Sequence, residues 1–177
     1  MLIAPMLLTV AVMVESCTNC AETVKELTED TDTLVESVET TGEMALDFTA
    51  TDSKGETFSL SDYRGERLVV IDFWGSWCGW CMKGVPDMKE AYARHSDKVE
   101  FIGINCYDDE KTFRSTVAAE AMPWRHVHND SQPESLAELY GVDGYPTKII
   151  VGLNGEVIER YEGEDPAFYE RLDELCK

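Results

Sequence analysis

Positive charge is scarce in this sequence: 15 lysines and arginines stand against 35 aspartates and glutamates, a formal net charge of −20. Attraction to a phosphate backbone or an anionic lipid surface needs clustered Lys and Arg, so the shortage argues against nucleic acid as a partner. Long apolar runs are lacking as well. The apolar stretch from Met1 through Val14 is too short to span a bilayer comfortably as a helix and fits a removed export signal. It lacks the Lys or Arg that normally precedes such a stretch, so the true start is expected a few codons upstream. Cysteine is sparse too, with six residues at 17, 20, 78, 81, 106 and 176. That density is far below a disulfide-stapled miniature domain, and each cysteine has to be read from its surroundings. Of the three histidines, His126 and His128 flank Val127 in a predicted strand and share a face. They would bind a metal only if a third ligand converged, and the expectation is that they face solvent.

At 177 residues the chain has room for one ordinary domain plus an extension. Residues 1–16 form the expected export signal. Val14-Glu15-Ser16-Cys17 has the form of a bacterial lipobox, with an unusual Glu15, and makes Cys17 the expected lipidation site. Residues 17–43 read as an acidic tether: between Thr18 and Glu43 Lys25 is the only base and no aromatic occurs, so little apolar surface can be buried. Val24, Leu27, Thr31, Leu34 and Val38 recur at helical spacing, enough for a frayed helix on a stalk but too few for a coiled coil.

Residues 44–177 carry the folded domain. Leu46, Phe48 and Ala50 alternate with polar residues, Ser53-Lys54-Gly55 turns, and Thr57–Leu60 alternates again, predicting a hairpin. Leu68–Trp74 and Val99–Asn105 are nearly continuous apolar runs, the pattern of strands covered on both faces. Between them a helix is predicted over Gly79–His95, with Pro86 expected to kink it, giving a parallel β-α-β crossover. A helix over Asp109–Ala121, a short strand over Trp124–His128, a short helix over Glu134–Tyr140, a hairpin around Leu153-Asn154-Gly155 and a closing helix over Pro166–Leu175 complete the reading.

The chemistry is concentrated in Cys78-Gly79-Trp80-Cys81, placed at the end of a buried strand and the start of a helix. Free amide N–H groups and positive potential at the helix N-terminus favour a thiolate, which acidifies Cys78. The spacing lets the second sulfur resolve a mixed disulfide formed at the first. Such a pair alone could also be half a zinc site, but Cys17-x-x-Cys20 is too far away in sequence to be the usual other half. Cys106 reads as a small buried hydrophobe and Cys176 as an unpaired terminal thiol. Trp74, Trp77 and Trp80 are expected to give the site its apolar rim and packing, and Trp124 to belong to the segment after the second strand.

Asp72-Phe73-Trp74 before the pair, Trp77 beside it, Pro86 five residues after Cys81, and Gly144-Tyr145-Pro146-Thr147 far downstream together resemble the thioredoxin superfamily. Over residues 44–175 the likeness is to its TlpA/ResA-type membrane-tethered branch, with the N-terminal hairpin and an insertion spanning Tyr107–Asp130. The resemblance implies a mixed α/β sheet flanked by helices, with Cys78 and Cys81 as the redox-active disulfide. It implies a cis Pro146 that lets the Tyr145 backbone pair with substrate, and a buried Asp72 that handles the proton of Cys81. Trp77, Gly79, Trp80 and Tyr145 are then the substrate-binding residues, with no cofactor and no metal. It further implies reduction of disulfide-containing protein substrates in the bacterial cell envelope or periplasm, and the acidic surface is expected to keep the protein monomeric. A lipid on Cys17 would anchor it and a membrane electron donor would recharge it. The same chemistry run backwards would make it an oxidant or isomerase, and a redox-inactive adaptor is the alternative from another class. A peroxiredoxin reading fails on Gly75-Ser76-Trp77-Cys78, which lacks the threonine of the Pro-x-x-x-Thr-x-x-Cys peroxide site. Two departures stand out: many relatives of this type have a glutamate where this chain has Gly84, and thioredoxin's lysine near the buried aspartate is replaced by Gly103. The proton-handling set is expected to be incomplete.

Overall fold

The computed structural model describes residues 42–177. The export signal, Cys17, Cys20 and all of the tether except Gly42 and Glu43 lie outside the described residues. Alternating side chains with Phe48, Ala50 and Phe58 turned inward form the hairpin β1 (Thr49–Thr51) and β2 (Thr57–Ser59), paired Thr49 to Ser59. The apolar run Leu68–Trp74 is β3, and Gly79–His95 is α1, which continues through Pro86. Val99–Asn105 is β4, Glu110–Ala119 is α2, and Arg125–His128 is β5. The single turn α3 (Leu136–Leu139), the strands β6 (Thr147–Val151) and β7 (Val157–Glu162) and the helix α4 (Pro166–Leu175) follow.

The five-stranded sheet has the order β5-β4-β3-β6-β7. β3, β4 and β5 are parallel, while β6 and β7 are antiparallel additions on the other side of β3. The site-bearing strand is therefore central, and its residues Val70, Ile71 and Phe73 are fully buried between two apolar layers. One layer packs α1 and α4 through Val85, Met88, Phe168 and Leu172. The other packs the hairpin and α3 through Phe48, Phe58 and Leu136.

The expectation for the histidines is corrected. His126 and His128 do share a face, but α2 covers it: His126 is only 2% exposed among Trp74, Phe113 and Trp124, and His128 stacks on Phe113 at 5.3 Å. Burial holds the His126 imidazole down near 3, so it stays neutral. The short helix before β6 is also smaller than expected, one turn rather than Glu134–Tyr140, because Ser135 is its N-cap and accepts from the Glu138 amide.

Candidate active site

Trp74 ends β3, Gly75–Trp77 turn, and Cys78 becomes the N-cap of α1. There it is joined to Cys81 in a disulfide. Its Sγ accepts from the Cys81 amide at 3.1 Å, taking up one of the donors that a helix start leaves free. The turn is clamped from below by the buried carboxylate of Asp108. This group accepts from the Ser76 amide at 2.8 Å, the Ser76 hydroxyl at 2.6 Å and Asn105 Nδ2 at 2.6 Å. Gly75 matters because a β-carbon there would fall on the Trp77 indole. Without one, the indole folds back and donates from Nε1 to the Cys106 carbonyl at 3.0 Å.

The disulfide itself is buried, with Cys78 and Cys81 each 6% exposed, and one side of it is bordered by aromatic rings. Trp77, Tyr107 and Tyr145 pack mutually at centroid distances of 5.3 to 6.2 Å. Trp80 is exposed, with the Lys83 ammonium 4.4 Å above its ring. Tyr107 is held at φ +63°, a left-handed conformation that costs a non-glycine residue roughly 1–2 kcal/mol. The Tyr145–Pro146 peptide is cis, and the Thr147 hydroxyl donates to the Gly144 carbonyl at 2.8 Å.

The other side is closed. Asp72, Cys81, Gly84, Trp124, Pro146 and Lys148 line a cavity of about 10 Å³, the scale of a single water. Asp72 Oδ1 is buried and accepts no hydrogen bond among the described residues; the Lys148 ammonium lies 3.9 Å away. Desolvation pushes the Asp72 carboxyl up to about 6, with Lys148 opposing and Glu164 reinforcing the rise. Lys148, itself 2% exposed, pairs with Glu164 at 2.7 Å, and Glu164 also accepts from the Tyr169 hydroxyl at 2.6 Å. Gly84 and Gly103 carry no charge, but β6 and the loop after β7 deliver an ammonium and a carboxylate to the same place.

Comparison with known proteins places this geometry. The AhpC/TSA family matches residues 41–160. The chain belongs to the AhpC/TSA family. Within it, the chain is similar to the thiol-disulfide oxidoreductase ResA of Bacillus thuringiensis subsp. konkukian (strain 97-27), 31% identical over 110 residues, covering 62% of this chain and 61% of that one. The match therefore spans less than two thirds of that relative's length. Among solved structures, the thioredoxin domain of a thiol-disulfide oxidoreductase from Bacteroides vulgatus has a TM-score of 0.68 at 26% identity, covering 80% of this chain and all of that one. The pneumococcal exposed lipoprotein thioredoxin (Etrx1) from Streptococcus pneumoniae strain TIGR4 has a TM-score of 0.63 at 27% identity, covering 73% of this chain and 100% of that one. The thioredoxin-like fold expected from the sequence is the fold of this AhpC/TSA family member.

The structure brings Cys78, Cys81, Asp72, Pro146, Trp77 and Tyr145 together around the disulfide, with Gly79 and Trp80 on the first turn of α1. Among the described residues Cys106 and Cys176 are free and buried, and burial pushes the Cys106 thiol up to about 12, which keeps it protonated. Sequence reading missed Asp108, Tyr107, Lys148, Glu164 and Tyr169. The available signal for Lys148 was a lone charge in the otherwise apolar run Lys148–Val151. Among the described residues no cluster of His, Cys, Asp and Glu could hold a metal, and no helix is long and apolar enough to cross a membrane.

Proposed function

We propose that this chain is a thiol:disulfide oxidoreductase that reduces protein disulfides outside the cytoplasm through Cys78 and Cys81. The observation that carries this reading is the Cys78–Cys81 disulfide at the start of α1, beside an exposed aromatic rim and above a buried carboxyl. In the reduced protein the helix N-terminus favours the Cys78 thiolate, which attacks a substrate disulfide. One S–S bond breaks, a mixed disulfide forms, and the first substrate thiolate leaves. Cys81 passes its proton to Asp72, and its thiolate attacks Sγ of Cys78. The Cys78–Cys81 bond forms, the second substrate thiolate leaves and takes up a proton, and two electrons have passed to the substrate. Tyr145, before the cis Pro146, offers backbone to an extended substrate strand, and Trp77, Gly79 and Trp80 line the approach.

The apolar start of the chain, the lipobox-like Val14–Cys17 and the likeness to an exposed lipoprotein support a place in the cell envelope. A lipid on Cys17 would hold the monomeric domain near a membrane electron donor that restores the dithiol. The test uses insulin as a protein disulfide. The wild type should reduce it catalytically, and a Cys81→Ser variant should accumulate a dithiothreitol-sensitive adduct through Cys78. Absence of both turnover and adduct sinks the reading. Equilibration of the pair against glutathione and dithiothreitol buffers settles direction: a low, thioredoxin-like potential fits a reductant, and a high one fits an oxidant or isomerase.

A further inference from the structure

The buried side of the site holds three charged side chains drawn from separate elements: Asp72 on β3, Lys148 on β6 and Glu164 in the loop between β7 and α4. Their spacing is uneven. Lys148 lies 2.7 Å from Glu164 but 3.9 Å from Asp72, and Asp72 Oδ1 is buried without a hydrogen bond among the described residues. Glu164 has a second anchor in the Tyr169 hydroxyl of α4, at 2.6 Å. It also fills space left open by Gly84, where a β-carbon would overlap its carboxylate. The loop glutamate is therefore seated against α1, three residues beyond Cys81, where it shares the lysine's ammonium with Asp72.

We propose that Lys148 and Glu164 act as a positioning pair that sets how readily Asp72 holds a proton, and through it the pH range in which the Cys81 thiol can be deprotonated for the resolving step. This rests on the reading of Cys78 and Cys81 as the working pair. Among the described residues the groups facing Asp72 are Cys81 from α1 across the small cavity, Lys148 from β6, Glu164 from the loop, Tyr169 from α4, and the Cys106 thiol beyond β4. Tyr169 and Cys106 are neutral, so the two charges acting on Asp72 have opposite signs. Lys148 favours the carboxylate and Glu164 disfavours it. While the pair is intact, the ammonium is shared between two carboxylates, and it is desolvation that lets Asp72 retain its proton to higher pH than an ordinary aspartate.

The consequence is a sign test. Glu164→Gln keeps the shape and releases the ammonium to Asp72, so Asp72 should titrate at least about one pH unit lower. Lys148→Met removes the attraction, so Asp72 should titrate higher. The measurement is the carboxyl carbon-13 NMR titration of Asp72 in the full oxidised chain, with the pH profile of insulin reduction recorded on the same variants. Opposite displacements of the titration, followed in sign by the rate profiles, are expected. Displacement of both variants in one direction, or no displacement, overturns the proposal, as do rate profiles that stay fixed while the titration moves. Should Lys148→Met fail to fold, Glu164→Gln decides alone: an unchanged or raised titration overturns the proposal. If the wild type reduces no disulfide, the proposed function falls, while the titration still decides the electrostatics.

Discussion

The two sides of the Cys78–Cys81 disulfide are built on opposite principles. The open side is a rim of aromatic rings that tolerates solvent: Trp77, Trp80 and Tyr107 are all more than half exposed. The closed side spends burial on charge, with Asp72 and Lys148 lining a space of about 10 Å³ and Glu164 paired to Lys148. A rim of that kind can accept many partners, because ring faces impose little geometry. A closed, charged side can serve only the protein's own sulfur, because every polar atom there is placed at a cost. On the proposed function, the difference separates what would meet the substrate from what would manage the proton.

Changes at the sulfur that joins the two sides have the largest expected effect. Cys78→Ser should reduce insulin turnover by a factor of about 10³ or more, since the nucleophile and everything arranged around it act as one unit. Steady-state turbidity assays check this, and a residual rate near that of wild type would break the comparison at its centre. Next comes the closed side. A carboxyl raised to about 6 binds its proton more tightly in the folded protein than in the unfolded chain. Stability therefore falls as pH rises from about 4 to about 6, by on the order of 3 kcal/mol for two pH units at 1.36 kcal/mol each. Asp72→Asn removes that penalty. Denaturant unfolding should find the oxidised variant more stable than wild type at pH 7.5 and little different at pH 4, while its disulfide reduction slows. A variant less stable at pH 7.5 would show that Asp72 is held as a well-paired carboxylate. Tyr169→Phe follows, with an expected loss of about 1–3 kcal/mol at neutral pH, because a hydrogen bond to a buried charged group disappears.

The contrast also explains what was legible in the sequence. Cys78, Trp77 and Trp80 lie within one short segment, so the pair, its helix and its rim could be read from neighbours along the chain. The strand Leu68–Trp74 and the hairpin turn at Leu153–Gly155 announced themselves by apolar continuity and turn chemistry in the same local way. The closed side comes from residues 72, 148, 164 and 169, which only the antiparallel pairing of β3 with β6 and the packing of α4 bring together. Lys148 sits across from Asp72 in that register, a fact no periodicity encodes. The histidines failed for a related reason: alternation placed them on one face, but it took α2 and Phe113 to decide that the face was buried.

The smallest effect should come from Trp80, and it is the sharpest test of the rim. Its ring is 62% exposed and is engaged by the Lys83 ammonium, a contact worth about 0.5–1 kcal/mol at an exposed position. Trp80→Ala should therefore leave the unfolding free energy within about 1 kcal/mol of wild type, as expected for a surface change away from core and caps. If the ring grips substrate, the loss appears instead in kcat/KM for insulin, by about tenfold for each 1.4 kcal/mol of contact removed. The reaction of reduced Cys78 with a small disulfide such as oxidised glutathione should barely change, because a small substrate does not reach across the rim. Equal losses with both substrates would mean that Trp80 acts on the sulfur itself through the first turn of α1, and the division between an open, partner-facing side and a closed, proton-facing side would have to be redrawn.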